Sequence, residues 1–344
     1  MTRYTFEEVK VAQASDEELT PILARVNEVN REIRPRSVDM TLDELRMFAG
    51  FPGTVESRFL TRDGTGEVVG TCETHYSADG TNPETLRCGI FVWPEFRRAG
   101  AGTAMLGHIA RIGKELARTK LLSYHFDTVP AGGAFAAAIG ATEGRKTHEN
   151  VLHIADLDAG LMQRWVEEGD RNAPGYTVRV TEGDWPEELF EDIANLLLIL
   201  ERDMPRSDGQ APRNWDAELV RELQEQFKDG VDVIWGMAFD GSSGKAVGMS
   251  EMFRRKTDPT TWIVTTTMVD PDHRGKSIGK WLKGAVNLAA LEAWPEGIYE
   301  ETANAFSNDA MLAINHAMGF RHEMTTIDVE ITVDRALAWV ASRS

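Results

Sequence analysis

Positive charge is what this chain has least of: 37 Lys and Arg stand against 55 Asp and Glu, a formal net charge of −18. Such an acidic excess opposes general attraction to nucleic acid phosphates or anionic lipid, so neither nucleic acid nor a membrane is expected as a partner. Cysteine is nearly missing. Cys72 and Cys88 fall in strand-like runs with no His or Cys at metal-ligand spacing, which makes them expected buried free thiols and leaves no expected metal site. Long apolar runs are missing too: none approaches the roughly 18 to 20 residues a bilayer crossing needs. The opening MTRYTFEEVKVAQ lacks the apolar stretch of a secretory signal, and a cytoplasmic protein is expected. The remaining composition, 42% apolar and 27% charged over 344 residues, is that of a globular chain with room for two domains.

What the chain does have is a repeat of itself. VVGTCETHY from Val68 resembles AVGMSEMFR from Ala246, aligning Gly70 with Gly248 and Glu73 with Glu251. IFVWPEFRRAGAG then matches TMVDPDHRGKSIG, aligning Val92 with Val269 and Gly102 with Gly279 at one constant offset. Gly140 and Gly319 close similar segments, Pro35-Arg36-Ser37 recurs as Pro205-Arg206-Ser207, and each half ends in a helix carrying Trp165 or Trp339. A fixed order of matches at long period is the signature of a duplicated unit. The halves join in the polar, Gly- and Pro-containing stretch Glu168 to Gly175, giving domains 1–170 and 175–344.

Each half reads as a strand, two helices, three strands, a helix, a strand, a helix and closing strands. Ser15 with Glu18 forms a capping-box pattern, and Thr41 opens a second short helix that Gly50 closes. Thr54–Arg62 and Glu67–Tyr76 flank Asp63-Gly64-Thr65-Gly66 as a hairpin, Leu86–Val92 continues the meander, and Gly102 opens a helix to about Ala117. Val231–Phe239, Lys245–Arg254 and Thr261–Val269 repeat the meander. This is an α+β fold, a mixed, mainly antiparallel sheet with flanking helices in each domain, and not a doubly wound dinucleotide fold.

The segment with the clearest chemistry is Arg97-Arg98-Ala99-Gly100-Ala101-Gly102, placed after an apolar strand and at the mouth of a helix. Unpaired backbone N–H groups and the positive end of the helix dipole converge there on a point suited to a phosphate. It recurs as Arg274-Gly275-Lys276-Ser277-Ile278-Gly279, with Lys280 and Lys283 just beyond, as Arg111 and Lys114 lie beyond the first copy. Neither copy ends in the Gly-Lys-Ser/Thr of a nucleoside triphosphate loop, so an anion other than ATP or NAD is expected. Glu73 and Glu251, at equivalent strand positions, are the first candidates to bind an amine or act as its base; an alternating strand could equally turn either to solvent. Glu300 and Glu301 are secondary candidates, while Tyr124 and His125 read as packing residues.

Arg97, Gly100 and Gly102 resemble the Arg/Gln-x-x-Gly-x-Gly/Ala signature of the GCN5-related N-acetyltransferase (GNAT) superfamily. The second copy keeps Arg274 and Gly279 but has Ser277 at the middle glycine. Asn308 with Gly319-Phe320 also matches the family, where the first half has Val129 and Gly140-Ala141. The resemblance covers nearly the whole chain as two tandem GNAT (acyl-CoA N-acyltransferase) domains. It implies acetyl-CoA as cosubstrate and a pantetheine arm lying in a gap between the fourth and fifth strands of a domain. Ile90, Phe91 and Val92, or Thr267, Met268 and Val269, would face that arm; Arg97, Arg98, Gly100, Ala101 and Gly102, or Arg274, Gly275, Lys276, Ser277, Gly279 and Lys280, would hold the diphosphate, with Asn304 and Asn308 lining the second gap. By the same resemblance a primary amine on a small molecule, cationic to suit the acidic surface, is acetylated by direct transfer in a ternary complex, without a metal. The family's usual acid, a Tyr, is replaced by Asn315 in the second half and Ala136 in the first, leaving Asn315, water or another residue for that role. The intact Asn304, Asn308 and Gly319-Phe320 favour the second half as catalytic, the first binding CoA unproductively or stabilising the pair. The alternative reading, prompted by the two missing tyrosines, is a non-catalytic module that binds or senses acyl-CoA. Either a monomer or a homodimer is compatible.

Overall fold

The structure, a computed structural model, describes residues 4–204, 210–305 and 309–343. Asn308 and the Pro205-Arg206-Ser207 repeat lie outside the described residues. The first half runs β1 (Thr5–Val9), α1 (Asp16–Ile33), α2 (Leu42–Met47), β2 (Thr54–Arg62), β3 (Val68–Ser77), β4 (Thr85–Val92), α3 (Ala101–Glu115), β5 (Lys120–Phe126), α4 (Pro130–Ile139), β6 (Thr142–His153) and α5 (Ala159–Asn172). The second repeats it as β7 (Tyr176–Glu182), α6 (Phe190–Asp203), α7 (Ala217–Phe227), β8 (Val231–Asp240), β9 (Ala246–Arg255), β10 (Asp258–Val269), α8 (Ile278–Ala293), β11 (Tyr299–Ala305), α9 (Asp309–Met318), β12 (Arg321–Thr332) and α10 (Val333–Ala341).

Local chemistry sets the helix starts. The Ser15 hydroxyl accepts from the Glu18 amide while the Glu18 carboxylate accepts from the Ser15 amide at 2.9 Å, and Thr41 with Glu44 does the same for α2. Each reciprocal pair satisfies amide donors that the first helical turn leaves open, worth about 1 kcal/mol. At the β2–β3 turn the Asp63 carboxylate accepts from the Thr65 amide at 2.9 Å, fixing the hairpin.

The chain forms two compact units, and they are not its two successive halves. Unit 1 is built mainly from Met1–Lys146 and Thr325–Ser344, unit 2 mainly from Thr147–Arg206 and Pro212–Met324. The boundary expected at residues 170–175 separates the repeats in sequence, but the last strand and helix of each half pack on the other half's framework. In unit 1 the strand order is β1-β2-β3-β4-β5-β12, and β12 pairs antiparallel with β5 from Thr326↔Phe126 to Thr332↔Lys120. In unit 2 the order is β6-β11-β10-β9-β8-β7, with β6 antiparallel to β11 from His153↔Tyr299 to Thr147↔Ala305.

The cores follow the exchange. Met105, Leu106, Ile109 and Ala110 of α3 pack with Leu86, Cys88 and Leu121, and are joined by Ile331, Val333 and Ala336 of the arriving segment. In unit 2, Met162 and Trp165 of α5 are buried with Leu152, Met318 and Phe320. A small residue admits each exchanged helix. A Cβ on Gly284 of α8 would stand 2.7 Å from the Met162 carbonyl oxygen of α5, and one on Gly107 of α3 would meet Val340 of α10 at 3.1 Å. Buried at these distances, neither position has room for a side chain without displacement. Cys72 and Cys88 are both buried and free, and burial pushes each thiol up to about 12.

Candidate active site

In both repeats the loop before the long helix adopts the same backbone. Arg98 and Gly275 have φ of 64° and 80°, Gly100 and Ser277 φ of 97° and 65°, so two left-handed residues, one apart, follow an extended arginine in each copy. That turn places Gly100 or Ser277 as the N-cap, with no side chain satisfying the helix's first amides. Ser277 therefore reproduces the glycine conformation at the cost of order 1 kcal/mol that a non-glycine residue bears there. The arginines hold the loop instead of reaching outward. Arg97 Nε donates to the Val92 carbonyl at 3.1 Å and its other nitrogens to both Glu32 oxygens at 2.6 and 2.5 Å, while Arg274 Nε donates to the Val269 carbonyl at 2.8 Å and also pairs with Asp203. The Tyr4 hydroxyl donates to the Ala99 carbonyl at 2.7 Å and closes the first loop from above. In the second loop Lys276 and Lys280 lie over the rings of Tyr176 and Trp165, at 5.8 and 5.6 Å from the centroids.

From its loop, unit 1 opens a cavity of about 830 Å³. β4 and β5 run parallel only from Thr85↔Lys120 to Arg87↔Leu122 and then splay, leaving the backbone of Gly89–Val92 unpaired on that edge. Ile90, Phe91, Val92, Arg97, Arg98, Gly100 and Gly102 line the cavity; Ala101 is buried as the first helical residue. Leu106 and Ala136 form its apolar wall, and Tyr124 and His125 stand on its β5 side. Both ring nitrogens of His125 are buried without a hydrogen-bond partner. The sequence reading of both as packing residues holds for His125, whose ring lies against Gly132 and Gly133 of α4, whereas Tyr124, the preceding residue and so on the opposite face of β5, is 44% exposed on the side of Glu73. The position of Tyr124 at the end of β5, two strands away from β3 yet level with its Glu73, is set by sheet register, which no local motif encodes.

Glu73 and Tyr124 meet across a notch. Register places Arg58 of β2 opposite Glu73 of β3 and Glu73 opposite Gly89 of β4. Gly89 has no side chain, and a Cβ there would sit 3.1 Å from the Glu73 carboxylate. Arg58 pairs with Glu73 at 2.9 Å and with Glu56 at 3.2 Å, one guanidinium shared by two carboxylates. Tyr124 is 44% exposed, but the protein around its hydroxyl withholds part of its water, and this, with the charge of Glu73 after it, raises its pKa above the ordinary value against the opposing pull of Arg58. At neutral pH the phenol keeps its proton.

Unit 2 carries different chemistry at the corresponding places. Glu251 has Trp235 opposite it where Glu73 has Arg58. A register shift in β10 between Val264 and Thr266 brings Thr265 out of line, and its hydroxyl donates to one Glu251 oxygen at 2.7 Å. The other oxygen is buried with no partner, and burial pushes the carboxyl up to about 7. β10 and β11 also splay after Val264↔Thr302. Beyond that point Asn315 accepts a 2.7 Å hydrogen bond from Lys283 and donates to Asn304 at 2.5 Å. Asn315 is 2% exposed, so its amide is committed to this buried chain and is not placed as a free acid. Thr267 shares a 2.9 Å hydrogen bond with Ser250, and Met268 and Val269 are buried in the unit's cores. Glu300 is wholly buried and Glu301 nearly so.

A strand-4 edge splayed from strand 5, with an amide-rich helix mouth at its end, appears twice in this fold, and the comparisons with known proteins agree with that pattern. The Acetyltransferase (GNAT) family profile matches residues 24–157 and again 195–320, and the chain belongs to that family as a tandem protein. A comparison with curated protein sequences returns no match. Among solved structures, a tandem GNAT protein from the clavulanic acid biosynthesis pathway, without AcCoA, superposes with a TM-score of 0.74 at 21% identity, covering 96% of this chain and 98% of that one. A GCN5-related N-acetyltransferase from Sphaerobacter thermophilus gives 0.64 at 14% identity over 97% and 96% of the two chains. At these identities the likeness is one of fold. Among the described residues no helix is long and apolar enough to cross a membrane.

Proposed function

We propose that the chain transfers an acetyl group from acetyl-CoA to a primary amine of a small, cationic molecule, and that the thioester is taken by unit 1. The observation that supports this most is the continuous cavity from the Gly100 helix mouth along the open edge of β4 to Tyr124. Its volume, about 830 Å³, falls within the usual range for a small-molecule cofactor site. The reading assigns the thioester to the first half, where sequence pattern favoured the second.

Each residue has a part in direct transfer. The amides around Gly100 to Gly102 face the diphosphate while Arg97, anchored on Glu32 and Val92, keeps their loop in shape. The free edge of Gly89–Val92 offers backbone donors to the arm and to the carbonyl that gains negative charge, an effect of about 3 kcal/mol for a well-aimed donor. The thioester supplies the acyl group; the rest is done by the protein. Glu73 stands at the edge of the gap with Glu56 and Arg58 beside it and Arg87 in the next register row, so the Glu73 carboxylate itself, and not a surplus of negative charge in the notch, orients the ammonium. Loss of the amine's proton passes to Glu73 or to water beside it, and Tyr124, held protonated, returns a proton to the leaving thiolate. An acidic surface of net −18 suits a cationic acceptor, and the pool of acetyl-CoA makes the cytoplasm the proposed location.

The test is to incubate the protein with acetyl-CoA and a panel of polyamines, amino sugars and amino acid amides while following free thiol. Acceptor-dependent thiol release is expected. Tight coenzyme A binding with no release for any amine would instead establish the non-catalytic, acyl-CoA-sensing reading.

A further inference from the structure

The two gaps can be superimposed position by position because the sheet registers agree. Leu86↔Leu121 in unit 1 corresponds to Trp262↔Glu300 in unit 2, and the α3 and α8 loops and the Gly140 and Gly319 caps fix the helices. On this alignment Leu106, Leu121, Ala136 and His125, all lining the unit 1 cavity, become Lys283, Glu300, Asn315 and Asn304. Ala110, buried behind Leu106, becomes Asn287. Three apolar side chains, Leu106, Leu121 and Ala136, have thus been exchanged for a lysine, a glutamate and an asparagine at matched positions.

Those polar side chains are buried. Lys283 is 1% exposed, Asn287 1%, Glu300 0% and Asn315 2%. Lys283 Nζ donates to Asn315 Oδ1 at 2.7 Å, Asn315 to Asn304 at 2.5 Å, and Asn287 Nδ2 to the Lys283 carbonyl at 3.1 Å, while Phe320 covers the ammonium at 5.0 Å from its ring centroid. Lys283 and Glu300 attract one another electrostatically in the interior. Both Glu300 oxygens are buried without a hydrogen-bond partner, and a pantetheine arm entering here would have to part the Lys283–Asn315–Asn304 chain and leave the buried ammonium without its acceptor, at a cost of several kcal/mol.

We infer that Lys283, Glu300, Asn304 and Asn315 close the second gap to the thioester, and are the residues that decide which of two near-identical frameworks binds acyl-CoA. This inference rests on the assignment of coenzyme A to unit 1. The chain then takes one coenzyme, and Glu251 serves a unit that does not handle the acyl group.

Titration calorimetry of the intact chain with coenzyme A reads this directly. One coenzyme per chain is expected for the wild type, none for Leu106→Lys with Ala136→Asn, and two for Lys283→Leu with Glu300→Leu and Asn315→Ala, in which apolar side chains replace a buried lysine and a buried carboxyl that attract one another without being in contact. Melting curves establish that each variant is folded; if the triple variant is not, the other two chains still decide. Two coenzymes on the wild type, or one retained by the Leu106→Lys and Ala136→Asn chain, would overturn the closure while leaving acyl-CoA binding intact. A folded triple variant that still takes only one would overturn it as well. No binding to the wild type would instead remove the unit 1 reading beneath it.

Discussion

Two carboxylates at equivalent positions have been given opposite surroundings, and each yields its own expectation. Glu73 shares Arg58 with Glu56, so its charge is answered; Glu251 has one hydroxyl donor and a buried, unpartnered oxygen. A carboxyl whose folded pKa of about 7 exceeds its unfolded value binds more protons in the native state between those values. Its contribution is therefore fully present below about pH 4.5 and is lost as pH rises to about 7. Glu251→Gln, which keeps an acceptor for Thr265, should stabilise the protein near pH 8 by on the order of 2 kcal/mol and little near pH 4. Urea midpoints across that range check it, and a parallel shift at every pH would mean that burial does not set the Glu251 proton. At Tyr124 the expectation is kinetic. Tyr124→Phe should lower kcat about 100-fold or more with little change in the KM for acetyl-CoA, as loss of a proton donor does. An unaltered kcat places the donor elsewhere.

At the scale of elements, the loops and caps were legible in the sequence. Ser15 with Glu18, the Thr41 cap and the Asp63 turn are local chemistry within a few residues, and each appears where it was expected; the helix expected to open at Gly102 starts at Ala101 with Gly100 as its cap, and the short helix expected to close at Gly50 ends at Met47. What depends on register was not legible. Tyr124 faces the gap because β5 runs parallel to β4 for three residues and then leaves it, and Asn315 is spent because α9 brings it against Lys283 of α8. The arginines were legible as part of the loop, but their partners, Glu32 and Asp203, are distant in sequence. Ser277 offers a direct element-scale test. Ser277→Gly should stabilise the chain by about 1 kcal/mol by relieving a left-handed serine, and would move the melting temperature upward by a few degrees. A lower melting temperature would show that the 3.4 Å hydrogen bond from Asn172 outweighs the backbone strain.

For the whole molecule, duplication was readable from the matched segments but the exchange of closing strands was not, since repeats of like pattern pair with either framework by pattern alone. Its consequence for stability is one-sided in a checkable way. A chain ending at residue 320 lacks β12 and α10, and so strips unit 1 of the strand that pairs with β5 and of Ile331, Val333 and Ala336, while the framework of unit 2 remains. Loss of coenzyme A binding with much of the far-ultraviolet dichroism retained is the expected result; a truncated chain that binds as well as the full one would contradict the role given to the arriving segment.

The crossing of closing segments also ties the two copies into one inheritance. A cut in the polypeptide near Gly175 would yield two pieces, each still holding a strand and a helix that the other needs, so the nicked protein should migrate as a single species until denatured. Neither ancestral copy can be discarded without unravelling its sister, which leaves side-chain replacement inside a gap, rather than deletion of a domain, as the open route by which one of them could change its trade.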